Sequence, residues 1–209
     1  MYQPAHFNIT DTAVLHGLIE AHPFGTWATT LDGVLEMNHI PFMLDRTRGP
    51  HGTLVGHVAR ANPVWQRAAA SIVAFQGPQA YISPNWYPSK HQHGKAVPTW
   101  NYALVQAHGQ PRAIEDKAGL LQIVSRLTQV HEAPQALPWA VADAPADYID
   151  AMLGAIVGIE IPIERLVGKW KVSQNRPAAD RLGVAAGLDA RNEPEASAMA
   201  SLIQQFAPK

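Results

Sequence analysis

Arg60 is the cation whose neighbours best suit it to hold an anion. It stands in "GHVARANP" (residues 56–63), where a β-rich run ends and Asn62 and Pro63 read as the cap and first residue of a helix. Free N–H groups at a helix start and a forked guanidinium both suit phosphate. The plainer reading is a surface arginine beside an ordinary cap. His39, in "EMNHIPF", lies on a β-like run that Pro41 interrupts, because proline brings no N–H to a ladder. Such a break can offer main-chain donors to a planar ligand, and a core histidine with a satisfied ring explains the same pattern.

A third candidate is aromatic. "YISPNWYPSK" and "VPTWNY" bound the 22 residues from Tyr81 to Tyr102, which carry two Trp, three Tyr and three Pro. The prolines exclude one regular helix through the segment. Lys90, Lys95, His91 and His93 accompany the rings, and no acid does. Rings with positive charge suit an aromatic anion or a single nucleic-acid strand; rings folded back as apolar cover are the alternative. His91 and His93 lack a third histidine or a nearby carboxylate, so no metal site is expected. From Glu164 to Arg181 five Lys/Arg face two acids. That stretch reads as a solvated strand end, a nucleic-acid patch, or the wall of a phosphate site.

Other chemistries are excluded. There is no GxGxxG, no P-loop, no HExxH and no nucleophile elbow. With no cysteine in 209 residues, disulfides and thiolate-bound metals are out. The net charge of −1 gives no global attraction to nucleic acid or an anionic membrane. No apolar run is long enough to span a bilayer and no leader is evident, so the expected compartment is the cytoplasm. Apolar content of 47% against 16% charged residues fits a compact domain with a real core.

The positioning elements follow from periodicity. "TDTAVLHGLIEAHP" reads as a helix capped by Thr10 or Asp11, with Val14, Leu15, Leu18 and Ile19 on one face. Asp32-Gly33 between two β-rich runs predicts a hairpin, and Pro41 predicts an edge or bulge. "TLVGHV" is a third strand, and a helix is expected over "RANPVWQRAAA". "SIVAFQG" and "QAYISP" read as two strands, and "TWNYALVQAHG" as another that returns through "PRAIE". A helix is expected over residues 116–131, a brief one near Tyr148–Leu153, then a long strand through "IVGIEIPIERLVGKWKVS" and two helical pieces in the tail. About seven strands with tight turns and few βα units indicate a mainly β fold, an antiparallel barrel with peripheral helices.

Four motifs then meet in one family. "MYQPAHF", "GHVARANP", "YISPNWYP" with "VPTWNY", and "KWKVSQNRP" occur in this order over nearly the whole chain. The sequence resembles the PaiB family of FMN-binding negative transcriptional regulators. That resemblance implies a split β-barrel of the pyridoxamine-phosphate-oxidase-like type, a homodimer, and FMN held in clefts shared between subunits. It implies a split-barrel domain over residues 1–175 and a helical extension over 176–209. Combined with the residues above, it assigns the FMN phosphate to Arg60 with Ala61 and Asn62. Thr29, His39 and Pro41 are expected along the flavin, with His57 and Lys171 from the flanking motifs and the rings of Trp86, Tyr87 and Trp100 covering it or filling the dimer interface. No helix-turn-helix is evident, so weak DNA contact or a protein partner is expected. An FMN-dependent oxidoreductase and a haem-binding split barrel are the alternatives.

Overall fold

A computed structural model describes residues 1–207. Helix α1 (Thr12–Ala21) starts where Asp11 Oδ1 accepts from the Ala13 N–H at 2.8 Å, and it buries Leu15, Leu18 and Ile19. Strands β2 (Phe24–Leu31) and β3 (Val34–Pro41) form the expected hairpin, with Leu31 opposite Val34. Asp32 and Gly33 both take positive φ, 51° and 86°. That is the turn whose twist matches two antiparallel strands, and glycine and aspartate tolerate it best.

After β3 come β4 (Met43–Asp45), β5 (Thr53–Ala59) and a short helix α2 (Val64–Arg67). Strand β6 is continuous over Ser71–Ile82, where the sequence suggested two strands. Burial alternates on Ser71, Val73, Phe75 and Gly77 and then on Ala80 and Ile82, so the buried face changes sides at Pro78 and Gln79 while the strand continues. The aromatic segment is not an open loop. It makes one 3-10 turn at Pro84–Trp86 and a short helix α3 (Pro88–His93), with Pro88 at the first helical position.

Strand β7 (Thr99–Gly109) and the short β8 (Arg112–Ile114) precede α4 (Lys117–Glu132), whose cap is the Asp116 carboxylate accepting from Gly119 N–H at 2.7 Å. Helix α5 (Ala146–Gly154) leads into β9 (Ile156–Lys171), and α6 (Ala178–Asp189) and α7 (Pro194–Gln205) complete the described chain. Strands bond in the order β3-β2-β6-β7-β9-β5-β4, with β1 (Asn8–Ile9) and β8 also on β9. Nine strands among the described residues replace the expected seven or so, since β1 and β4 are too short to show periodicity, and the return run β8 pairs with β9, not β7. The mainly β class with peripheral helices stands.

Two compact units result. The first takes Met1–Leu15, Gln76–Val105 and the chain from Val167 onward; the second takes His16–Phe75 and Gln106–Leu166. The C-terminal helices are therefore built into a unit together with the aromatic segment. In that first unit Trp86 lies flat on α6, because Gly183 and Gly187 leave the helix surface bare. A β-carbon at Gly187 would come within 2.5 Å of the Trp86 indole.

Gly→Ala in a helix ordinarily gains about 0.8–1 kcal/mol. Here the sign reverses: Gly187→Ala should lower the stability to urea by about 1–3 kcal/mol through overpacking against Trp86. An unchanged or raised urea midpoint would contradict this packing.

Candidate functional site

In the second unit, Arg60 spends its guanidinium on its own chain. Nε donates to the Gly154 carbonyl at 2.9 Å, one terminal nitrogen to the Ile156 carbonyl at 3.0 Å and the other to Glu115 at 2.9 Å. Its carbonyl accepts from the Trp65 indole at 3.0 Å. Arg60 thus staples the end of β5 to the junction of α5 and β9, and a phosphate would have to compete with three protein acceptors. The helix beyond it spans four residues, too few to concentrate a dipole. Asn62 does not cap it in the expected frame: Pro63 directly precedes the helix, and Asn62 Oδ1 accepts from Val64 N–H at 3.0 Å. The Asn62 amide also donates to Asn38 Oδ1 at 2.7 Å, and its N–H bonds the Ala59 carbonyl across Ala61. The expected cradle at Arg60, Ala61 and Asn62 is a turn satisfied from within.

Thr29 and His39 lie on opposite faces of the β2–β3 hairpin. Thr29 is paired with Glu36 and His39 with Thr26, an odd offset, so period two separates them. Thr29 is buried with its hydroxyl donating to the Ala69 carbonyl at 3.1 Å. His39 is exposed and stacks on Phe24 at 6.4 Å between ring centroids. One ligand cannot touch both side chains across the sheet. Pro41 closes β3 as the interrupted run suggested, and Phe42 N–H then bonds the Pro23 carbonyl at 2.8 Å.

His57 sits on β5 opposite Gly158, on the face where Ile114 and Ile123 pack. Its Nδ1 is buried with no protein partner, and burial pushes the ring's pKa below the usual 6.5. His108 behaves alike, its pKa lowered by burial and by Arg165, whose guanidinium is 3.0 Å from Nδ1.

In the first unit the remaining candidates divide. Tyr87 is wholly buried, its hydroxyl has no partner, and the Arg176 guanidinium lies 5.0 Å from its ring centroid. Burial raises the Tyr87 pKa. With Trp86 on the α6 glycines, both rings are structural cover for their own chain. Trp100 differs: it is exposed and meets Tyr81 edge-on at 6.2 Å.

Lys171 bonds the Thr99 hydroxyl and the Trp100 carbonyl, the latter at 2.6 Å. Two residues back on the same face, Lys169 is buried, donates to the Tyr2 carbonyl at 2.9 Å, and lies 5.5 Å and 5.7 Å from the ring centroids of Tyr102 and Tyr2. Burial, then Lys169 and Arg176, lower the Lys171 pKa. None of Lys169, Lys171 and Arg176 pairs with a carboxylate among the described residues. This is positive charge gathered among flat rings without compensation, the donor set an aromatic phosphate requires. The sequence singled out Lys171 and Trp100, offered Lys169 and Arg176 only as members of the basic stretch and Tyr102 only as a ring of the aromatic segment, and did not single out Tyr2. The K-W-K alternation was the available signal, since it turns Trp170 to the core and both lysines the other way.

A family model described as "Putative FMN-binding domain" matches residues 1–165. The chain belongs to this family, and within it to the PaiB type. It is 31% identical over 207 residues to the protease synthase and sporulation protein PAI 2 of Bacillus subtilis, covering 98% of this chain and 97% of that protein. Among solved structures, the flavocytochrome Anf3 of Azotobacter vinelandii superposes with a TM-score of 0.58 at 12% identity, covering 79% of this chain and 69% of that one. The FAD and heme binding protein of Mycobacterium smegmatis gives 0.52 at 16%, covering 78% and 72%. These likenesses establish the fold as the split barrel of flavin proteins. FMN, the cofactor expected from the sequence, is the one in the family's description. No helix among the described residues is long and apolar enough to cross a membrane.

The lowered pKa of His57 has a defined sign. Folded His57 stays neutral where the unfolded ring, near pH 6.5, takes a proton, so stability falls as pH drops below that value. His57→Leu should flatten the decline between about pH 6.5 and 5, read from urea midpoints at each pH. An unchanged slope would show that His57 is not the group responsible.

Proposed function

We propose that this chain is a homodimeric FMN-binding protein of the PaiB type that acts as a negative regulator of transcription, and that Lys169 and Lys171 hold the anionic part of the flavin beside Trp100 and Tyr102. The observation that carries the site is the uncompensated charge of Lys169, Lys171 and Arg176 among rings. The regulatory role rests on family membership and on the sporulation role in the name of the Bacillus relative.

Two features support a homodimer. Cross-strand register places Phe24, Leu35, Met37 and Ile72 on one face of β2, β3 and β6, and all four are exposed, Leu35 at 69% and Phe24 at 64%. Monomers rarely leave such a face open. Strand β3 is also the last in the sheet order, with its outer edge unpaired among the described residues. The dimer face is thus this hairpin, with His39 at its margin, in place of the Trp86 and Tyr87 rings that the sequence suggested.

Direct DNA binding finds little support. Of the basic stretch, Lys169 is buried, Lys171 is half-buried and bonded, Arg176 lies over Tyr87, and Arg181 donates to the Arg176 carbonyl at 3.0 Å. A strip of solvent-facing cations is what phosphates of a duplex need. Regulation through a protein partner fits better.

FMN titration followed by flavin fluorescence is the test. Lys171→Met should weaken binding about 10- to 150-fold, the loss of one charge-assisted hydrogen bond, while Arg60→Ala should leave affinity nearly unchanged in the protein that remains folded. Affinity should also fall as pH rises through the lowered pKa of Lys171, because the anion is held by the protonated amine, and Lys171→Met should remove that dependence. Equal affinities for wild type and Lys171→Met would move the site elsewhere. Met37→Glu should give a monomer in sedimentation velocity; a persisting dimer would exclude the β3 face.

A further inference from the structure

In the second unit, α1, β4 and α4 enclose a cleft of about 630 Å³ that has no part in the site above. Its floor is Phe42 and Leu44, both buried, with Met43 between them. Its α4 wall is built from two pairs four residues apart, Arg126 with Val130 and Leu127 with His131, so one helix face supplies apolar surface and charge together. Val130 is 56% exposed although it lines this hollow. The volume falls in the range that holds small ligands, which are bound by apolar walls and a few placed polar groups.

The polar group is Arg126. Its one hydrogen bond among the described residues is to Asp45 Oδ2 at 3.4 Å, the outer limit of such a bond. Asp45 is occupied meanwhile: Oδ1 accepts from the Thr47 hydroxyl at 2.7 Å and the Thr47 N–H at 3.1 Å. The guanidinium therefore keeps most of its donors for another acceptor. At the opposite lip Glu20 is already held by Arg46, at 2.7 and 2.5 Å, so the acid on this wall is neutralised. An apolar trough with one unsatisfied guanidinium selects a molecule with an apolar body and a single carboxylate.

We propose that this cleft is a second ligand site, separate from the flavin, that binds a small apolar monocarboxylate: carboxylate on Arg126, body over Phe42, Leu44 and Val130. Phenylbutyrate is the probe, with phenylbutylamine as the control of equal shape and opposite charge. Amide chemical shifts of the ¹⁵N-labelled full chain report both place and affinity. Phenylbutyrate should shift residues of β4 and α4 with sub-millimolar affinity, and phenylbutylamine should not. Arg126→Gln should weaken binding about 10- to 150-fold, Arg126→Lys less, and Val130→Trp should weaken it by taking the place of the ligand's apolar body on the α4 wall. Both positions are largely exposed, and FMN titration of each variant verifies that the flavin site is intact. No shift at millimolar phenylbutyrate, or equal affinity in wild type, Arg126→Gln and Val130→Trp, overturns the proposal. So does equal binding of the amine.

Discussion

The burial pattern of β9 is the constraint on which the structure depends. A strand sends successive side chains to opposite faces. In its first half the odd-numbered Ile159, Ile161 and Ile163 are buried, and at its end the even-numbered Trp170 is, so the core face changes sides along the strand. Past that change Lys169 and Lys171 share the face opposite Trp170, and the same strand supplies partners to β5, β8 and β1. Shifting the end of the strand by one residue would put an ammonium where the Trp170 indole packs, a cost no surface contact could offset. Core packing thereby fixes the position of the charge.

Three arginines and the lysines of β9 have been given different work here. Arg60, Arg46 and Arg48 each meet a carboxylate, Arg48 and Arg46 through both terminal oxygens of one glutamate. The forks of Arg46 and Arg48 tie the loop after β4 to α1 and to β9, and all three guanidiniums are committed to the protein. The lysines of β9 instead meet carbonyls, a hydroxyl and rings. Such neutral partners hold an ammonium in place without cancelling its charge, so the electrostatic field remains available to an incoming anion.

Local chemistry was legible in the sequence, and distant pairing was not. The Asp32-Gly33 turn, the Asp11 cap and the edge ended by Pro41 all follow from neighbours within a few residues, and the structure has each of them. The run breaks its alternation at Pro78, which is why it reads as two strands, yet β6 continues with Phe75 buried before the break and Ile82 buried on the other parity after it. The aromatic segment looked open because its cover, the paired glycines of α6, comes about a hundred residues later. Arg60 looked free for the same reason: Gly154 and Ile156 are 94 and 96 residues away. In each case a local pattern was visible and its long-range partner was not. For the candidate site, Lys171 and Trp100 were legible as types, and their grouping with Lys169 and Tyr102 required the register of two strands.

Strand β3 puts a time limit on the newly made chain. It projects side chains into solvent on both faces, and one of its backbone edges has no neighbour. A protease or a chaperone recognises this kind of extended apolar ribbon, and so does the same ribbon on another unfinished molecule. In the proposed homodimer a partner covers this ribbon, and an unpaired copy would be a substrate for quality control. The cellular level of the protein would then depend on its rate of synthesis more steeply than in proportion, because a copy made when few others are present waits longest with its edge bare.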